Sequence, residues 1–286
     1  MLLIANSQVL TAKSQAPRAK STLTTEQEQQ FRYYWYAARQ AMEEQRYADA
    51  YALLRFCEML NPDDGTTLSY IALMYQGLGQ SEQALEYFRQ AYLADPDQQW
   101  QNYLELLKRK YISEKNWKQA IRTQDEIDKH QEYDATSAIT RYRIYAMWDK
   151  PKQAIKAIDD YLKVEPDDLR FLVFRLELME QTGAKVKDLM AMYKRILEID
   201  PYNLMVLNNY AYYMAIHKGD LKEAEKMSAI TIRQDPDNPV YLDTYGWIMH
   251  LQGQDELAKF YLQKALRNAT DKSKAEIQKH LNAIKN

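Results

Sequence analysis

The sequence predicts an all-α protein built as a solenoid of about seven stacked helical hairpins. Two observations indicate this fold: the composition favours helix, and small residues and prolines return along the chain about every 34 residues. Only 7 Gly and 8 Pro occur among 286 residues, too few for the many tight turns of a β-sandwich or β-barrel. Because 46% of the residues are hydrophobic, we expect the chain to bury a continuous core.

A repeated small residue marks the predicted second helix of each hairpin. It stands in segments such as SEQALEYF and DELAKFYL, and Leu189 takes its place once. The alanines at this position are Ala50, Ala84, Ala120, Ala154, Ala224 and Ala258. A small side chain here lets the two helices of a hairpin cross closely, so the repeat is a packing signal without catalytic meaning.

Prolines and glycines mark the predicted boundaries of the helices. The prolines, each just after a helical stretch and mostly followed by Asp or Asn, are Pro62, Pro96, Pro166, Pro201 and Pro236. Since proline stops a helix and Asp or Asn caps the next one, we interpret them as boundaries between hairpins. The glycines predicted in turns within hairpins, where a left-handed backbone is often needed, are Gly79, Gly183, Gly219 and Gly253.

This pattern resembles the tetratricopeptide repeat (TPR) family, and the second repeat, GTTLSYIALMYQGLGQSEQALEYFRQAYLADP, matches it most closely. The resemblance covers roughly residues 30 to 268 and is to bacterial members in particular. It implies a right-handed superhelical solenoid that binds other proteins. The third repeat departs from the family pattern at Gln124, Ile127 and Glu132, where an aromatic residue, Ala and Pro are usual.

Three segments divide the chain in this prediction. The solenoid spans residues 26–268, with repeats near 31–64, 65–98, 101–134, 135–168, 170–203, 205–238 and 239–268. Thr25 and Glu28 form a predicted capping box that starts the first helix near Glu26. Residues 269–286 are expected to form a capping helix with an apolar stripe of Ile277, Leu281 and Ile284. Residues 1–25 are expected to be a disordered tail or the remnant of a signal peptide, which leaves the compartment open between the bacterial cell envelope and the cytoplasm.

Several function classes find no support in the residues. The 38 basic and 40 acidic side chains form no basic block, which argues against a nucleic-acid partner. No apolar run reaches the roughly 18 residues of a membrane span. Cys57 lies in an apolar helical pattern and is expected to be buried and inert. His130, His217, His250 and His280 lack the spacing of a metal site, and no nucleophile or phosphate-binding loop is present, so we expect neither cofactor nor catalysis.

The predicted functional surface is the concave groove lined by the first helices of the hairpins. Residues at equivalent repeat positions form columns along it, and they place arginines in the middle and polar and aromatic side chains towards the C-terminal end. The candidate contact residues are Arg109, Arg143, Arg175, Asn209, Tyr210, Tyr213, Asp243, Trp247 and His250. Because aromatic rings and Arg dominate binding hot spots, we predict that a peptide or protein segment docks there. The alternatives are that these rings only pack between hairpins, that the chain is an assembly subunit forming a homo-oligomer, or that it regulates an enzyme on another chain.

Overall fold

A computed structural model of the protein describes residues 23–284, apart from the side chain of Lys272, and this part of the chain contains fifteen α-helices and no β-strand. The predicted tail lies mostly outside it, since residues 1–22 are not described. The helices are α1 (Thr25–Glu43), α2 (Tyr47–Leu60), α3 (Gly65–Gly77), α4 (Ser81–Ala94), α5 (Pro96–Ser113), α6 (Trp117–His130), α7 (Ala135–Met147), α8 (Pro151–Leu162), α9 (Leu169–Gln181), α10 (Val186–Ile199), α11 (Leu204–Ile216), α12 (Leu221–Gln234), α13 (Pro239–Leu251), α14 (Asp255–Asn268) and α15 (Asp271–Ile284). None of these helices is both long and apolar enough to cross a membrane.

The chain divides into two compact units, Met1–Lys150 and Pro151–Asn286, here called the N-terminal and C-terminal units. In the N-terminal unit, α1 packs on α2, α3 on α4, and α5 on α6. In the C-terminal unit the corresponding pairs are α9 with α10, α11 with α12, and α13 with α14. Each pair is joined by a short turn, so its two helices run antiparallel. The predicted all-α architecture of stacked helical hairpins is therefore confirmed.

Capping residues explain where the first helices of the hairpins begin. Two residues after four of the predicted prolines, a side-chain oxygen accepts a backbone N–H of the first helical turn, as N-caps do. These caps are Asp64, Asp168, Asn203 and Asn238. The predicted capping box of α1 was wrong by one residue. Thr24 is the N-cap, and Gln27 rather than Glu28 completes the reciprocal pair of hydrogen bonds.

The repeated alanines lie where the paired helices cross. All six are fully buried, and Leu189 is 2% exposed. The seventh hairpin shows how little space remains: a Cβ added to Gly246 of α13 would lie 2.8 Å from the Cγ of Leu262 and 3.2 Å from the backbone oxygen of Ala258. The helices of this hairpin approach closely because both crossing positions carry minimal side chains.

The turns within hairpins need one left-handed residue each, and glycine supplies it in only some of them. Gly79, Gly183 and Gly253 have φ of 73°, 66° and 78°, as predicted. Gly219 lies in its turn as predicted, but the left-handed residue of that turn is its neighbour Lys218, with φ of 56°. In three other turns the left-handed position is held by Gln45, Lys115 and Asp149. L-residues tolerate this conformation as single residues, at a cost of about 1 kcal/mol.

The core of the N-terminal unit changes from apolar to polar along the chain. Its first part surrounds Trp35, which is fully buried, and includes Cys57, whose thiol is buried as predicted and has its pKa raised to about 12 by that burial. In the third repeat, Lys108 is 7% exposed and donates to Gln124 (Nζ to Oε1, 2.8 Å). Gln124 in turn donates to Asp128 (Nε2 to Oδ1, 2.7 Å), the carboxylate that also binds Arg141. The departure of this repeat from the family pattern thus corresponds to a buried polar network.

The C-terminal unit has a continuous apolar core drawn from α9 to α15. Ile277, Leu281 and Ile284 of α15 are 1%, 5% and 7% exposed and belong to this core. The apolar stripe predicted for this segment therefore packs on the preceding helices, and the helix covers apolar surface that a further repeat would otherwise bury.

Candidate functional site

The predicted contact residues are divided between the two units. Arg109 on α5 and Arg143 on α7 belong to the N-terminal unit, and both side chains are exposed. Neither forms an ion pair with another residue in the part of the chain that the structure describes. The other seven residues belong to the C-terminal unit, so their geometry is described there.

A cavity of about 400 Å³ opens on the first-helix side of the C-terminal unit. Three predicted residues line it: Asn209 and Tyr213 of α11, and Asp243 of α13. Other polar side chains that line it, which the repeat columns did not include, are Glu180, Asn208, Tyr212, Thr244 and Glu276. These side chains lie on α9, α11, α13 and α15, so they come together only when the C-terminal unit folds.

Stacked tyrosines support one wall of the cavity. The ring of Tyr193 on α10 is stacked on Tyr210, with centroids 5.2 Å apart, and is tilted against Tyr213 at 5.9 Å. Tyr210 is only 5% exposed, so it lies in the core beneath this surface. The hydroxyl of Tyr193 donates a hydrogen bond to Glu180. Burial is the largest cause of the raised pKa of Tyr193, and the hydrogen bond to the Glu180 carboxylate raises this pKa further. The hydroxyl therefore remains a donor at neutral pH.

Asp243, another residue of the lining, is held by His280 of α15, which does not itself line the cavity. Its Nδ1 lies 3.0 Å and 3.1 Å from the two carboxylate oxygens of Asp243, and its ring is stacked on Trp247 with centroids 4.3 Å apart. Asp243 is 8% exposed, so it borders the cavity while already hydrogen-bonded within the protein. The side chain of His250 lies 5.1 Å from Trp247 between ring centroids, and its Nδ1 is 2.7 Å from Asp255 Oδ1. Trp247 and His250 do not line the cavity.

Arg175 also lies apart from the cavity lining. Its Nε donates to Asp159 Oδ1 at 2.6 Å, and its Nη1 donates to the sulfur of Met179 at 2.9 Å. Both partners belong to the C-terminal unit, so this guanidinium group joins α8 to α9 in the unliganded protein.

Asn208 is the least expected member of the cavity lining. It is 3% exposed, and its Nδ2 donates to Asn209 Oδ1 at 3.4 Å, but its Oδ1 has no hydrogen-bond partner among the described residues. The equivalent residue one repeat later is Asp243, because α13 begins 35 residues after α11. Both repeats therefore carry a buried polar side chain here, but the Asp243 carboxylate is hydrogen-bonded to His280 whereas Asn208 Oδ1 has no partner among the described residues, a difference that no sequence pattern indicates.

Comparisons with known proteins agree with the repeat assignment. No family model matches the sequence. A TPR repeat-containing protein of Pseudomonas aeruginosa is 34% identical over 136 residues, which are 46% of this chain and 22% of the relative. The chain therefore spans less than a quarter of the length of that curated relative.

Two solved structures show the likeness of the fold. A chain in the structure of Naa15/Naa10 bound to HypK-THB is similar with a TM-score of 0.56 at 15% identity, covering 92% of this chain and 40% of that one. A tetratricopeptide repeat protein from Parabacteroides merdae is similar with a TM-score of 0.44 at 14% identity, over 90% of this chain and 100% of that one. The second TM-score is too low to add to the fold assignment.

Proteins of this repeat type generally mediate protein–protein interactions, and they are typically non-catalytic scaffolds. The helical hairpins, the buried alanines at their crossings and the bacterial relative agree with one another. The chain is thus built of stacked helical hairpins of the tetratricopeptide-repeat type, and part of its sequence is similar to that of a bacterial TPR repeat-containing protein.

Proposed function

We propose that the chain is a non-catalytic scaffold that binds an extended segment of a partner protein at the cavity of the C-terminal unit. The observation that carries this proposal is the meeting of Asn209, Tyr213 and further tyrosine and amide side chains around about 400 Å³ of open space. Tyrosine rings offer large contact area at a small entropy cost, and amide groups can both donate to and accept from a peptide backbone.

The predicted contact residues take different roles in this proposal. Asn209 and Tyr213 contact the segment directly, while Tyr210 supports them from the core. Asp243 and Trp247 hold α15 beside the site through His280 and act as its border.

The arginines are proposed as separate contacts. Arg109 and Arg143 offer exposed guanidinium groups on the N-terminal unit, where they would form a contact of their own. Arg175 contacts a partner only if its ion pair with Asp159 opens.

The test compares alanine variants of the full chain with the wild type. Short randomised peptides that bind the immobilised wild type are selected, and their affinities are measured for Tyr213→Ala and Asn209→Ala. We expect at least one variant to bind about thirtyfold more weakly, the loss of about 2 kcal/mol that defines a hot spot. Tyr202→Ala is the matched control, because this tyrosine of the same unit is 72% exposed and lies outside the cavity.

The result that overturns the proposal is unchanged affinity of the selected peptides for both variants, with the far-UV circular dichroism spectrum intact. That spectrum is needed because Tyr213 packs against Tyr193, and an alanine there also removes core contacts. Light scattering in the same buffer measures the mass of the chain, and so separates peptide binding from the predicted alternative of self-assembly.

A further inference from the structure

We propose that the segment bound at this cavity is cationic, with a Lys or Arg side chain placed between Glu180 and Glu276 and an N–H group donated to Asn208. This inference rests on the proposed function, since it names the chemistry of the partner at the same site. It follows from the charges, the hydrogen-bonding groups and the rings that surround the cavity.

The charges around the cavity have one sign. Glu180, Asp243 and Glu276 line it, and among the side chains that the structure describes no Lys or Arg does. Asp243 is already engaged by His280, so the two exposed carboxylates, Glu180 and Glu276, are the groups open to a partner. Glu276 forms no ion pair with any residue in the described part of the chain. A cation between two carboxylates would form charge-assisted hydrogen bonds, which are stronger than neutral ones.

Glu180 is held in place before any partner arrives. The hydroxyl of Tyr193, a side chain 1% exposed in the core, donates to one of its carboxylate oxygens and leaves the second oxygen for a ligand. A carboxylate anchored in this way loses less side-chain freedom when it binds, which favours affinity. Tyr212 and Tyr213 line the same cavity, and their ring faces attract an ammonium or guanidinium group.

Asn208 supplies the second, independent observation. Its amide is almost fully buried beside the cavity, and Oδ1 accepts no hydrogen bond. A buried acceptor without a donor is costly, and the equivalent residue one repeat later, Asp243, has the partner that Asn208 Oδ1 lacks among the described residues, His280. A donor from a bound partner would satisfy this oxygen.

The open groups of the cavity are therefore mainly acceptors. Lys and Arg carry only donors, three and five respectively, so their side chains match such a site, with the backbone N–H groups of the segment as additional donors. An acidic segment would meet like charge at Glu180 and Glu276. An apolar segment would leave both carboxylates and Asn208 Oδ1 without partners, and is disfavoured for that reason.

The experiment uses the full chain and four sets of short fluorescent peptides. The sets are randomised except for one central position, which is Lys, Arg, Glu or Leu, and binding is followed by fluorescence anisotropy. We expect the Lys and Arg sets to bind the wild type about tenfold more tightly than the Glu and Leu sets, a ratio equivalent to one strong charged contact. The preference should weaken as salt is added.

Two variants and a matched control locate the preference. The double variant Glu180→Gln/Glu276→Gln keeps the side-chain shape and should bind all four sets equally. Glu177→Gln/Glu256→Gln changes the net charge by the same amount at exposed residues outside the cavity and should keep the preference. Asn208→Leu should weaken the binding of the Arg set about tenfold.

The outcomes separate the inference from the function on which it rests. If the wild type binds the four sets equally, and this binding still depends on Tyr213, the cationic assignment is overturned while the proposed binding site stands. If no set binds, both are overturned. A preference for Lys and Arg that persists in Glu180→Gln/Glu276→Gln would also refute the assignment, because groups other than these two carboxylates would then bind the cationic side chain.

Discussion

Replacing Asn208 by Leu is expected to stabilise the unliganded protein. Both side chains branch at Cγ and have four heavy atoms, and the larger methyl groups of Leu would lie beside the cavity that Asn208 lines. The substitution removes a buried Oδ1 that accepts no hydrogen bond from the described residues, and it places apolar carbon atoms in a site that is 3% exposed.

The magnitude follows from two opposing contributions. An unsatisfied buried polar atom costs about 1–3 kcal/mol. Against this, the variant loses the hydrogen bond from Asn208 Nδ2 to Asn209 Oδ1, which at 3.4 Å is long and is worth about 0.5 kcal/mol. The net stabilisation is about 0.5–2.5 kcal/mol, and each kcal/mol corresponds to a rise in Tm of about 2–4 °C.

Urea and thermal unfolding of the full chain, followed by far-UV circular dichroism, measure this change. The variant Leu242→Asn, at an apolar buried position of α13, is the control and should lose about 3–5 kcal/mol, because it removes a buried Leu side chain and buries an amide. A variant Asn208→Leu less stable than the wild type would refute the reasoning, since the amide would then have a partner before any ligand binds.

Three further predictions concern the fold. Gly246→Ala should destabilise the protein by about 1–3 kcal/mol in urea unfolding, because the new methyl group would lie 2.8 Å from Leu262 Cγ. Unchanged stability would mean that α13 and α14 can separate at this point without cost, and would contradict the prediction. Lys115→Gly should stabilise it by about 0.5–1 kcal/mol by relieving a left-handed φ of 56°, and a loss would contradict this. Cys57 has its pKa raised to about 12, so at pH 8 a thiol reagent should react with it only after unfolding, whereas rapid reaction of the native chain would show access to it.

Local sequence signals predicted most of the helical boundaries, because an N-cap side chain accepts hydrogen bonds from the backbone of the helical turn that directly follows it. Asp or Asn two residues after proline marks N-caps such as Asp64 and Asn203, which the structure confirms. The failures are also local. Thr24 and Thr25 are both good caps, and the choice between them depends on how Gln27 folds back. Similarly, the backbone adopts the left-handed conformation at Lys218 although Gly219 follows it, so the position was not determined by residue type.

The candidate site was predicted only in part because its members come from separate turns and helices. Columns aligned on the small residues of the second helices found Asn209, Tyr213 and Asp243, although α13 begins 35 residues after α11 and Asp243 is therefore equivalent to Asn208. They could not include Glu180, which ends α9, or Glu276, which lies on α15 beyond the last repeat. The columns contain only aligned positions of the first helices, whereas side chains outside those positions also line the cavity.

The sequence by itself determined the helical hairpins, their period of about 34 residues and the small residues at their crossings. These features depend on contacts repeated at a fixed spacing, so each copy reinforces the same interpretation. The tertiary structure decided which groove residues are open and which are already bonded. Only packing places His280 against Asp243 and leaves the amide oxygen of Asn208 without a partner, because both depend on neighbours that the chain brings together over long sequence separations.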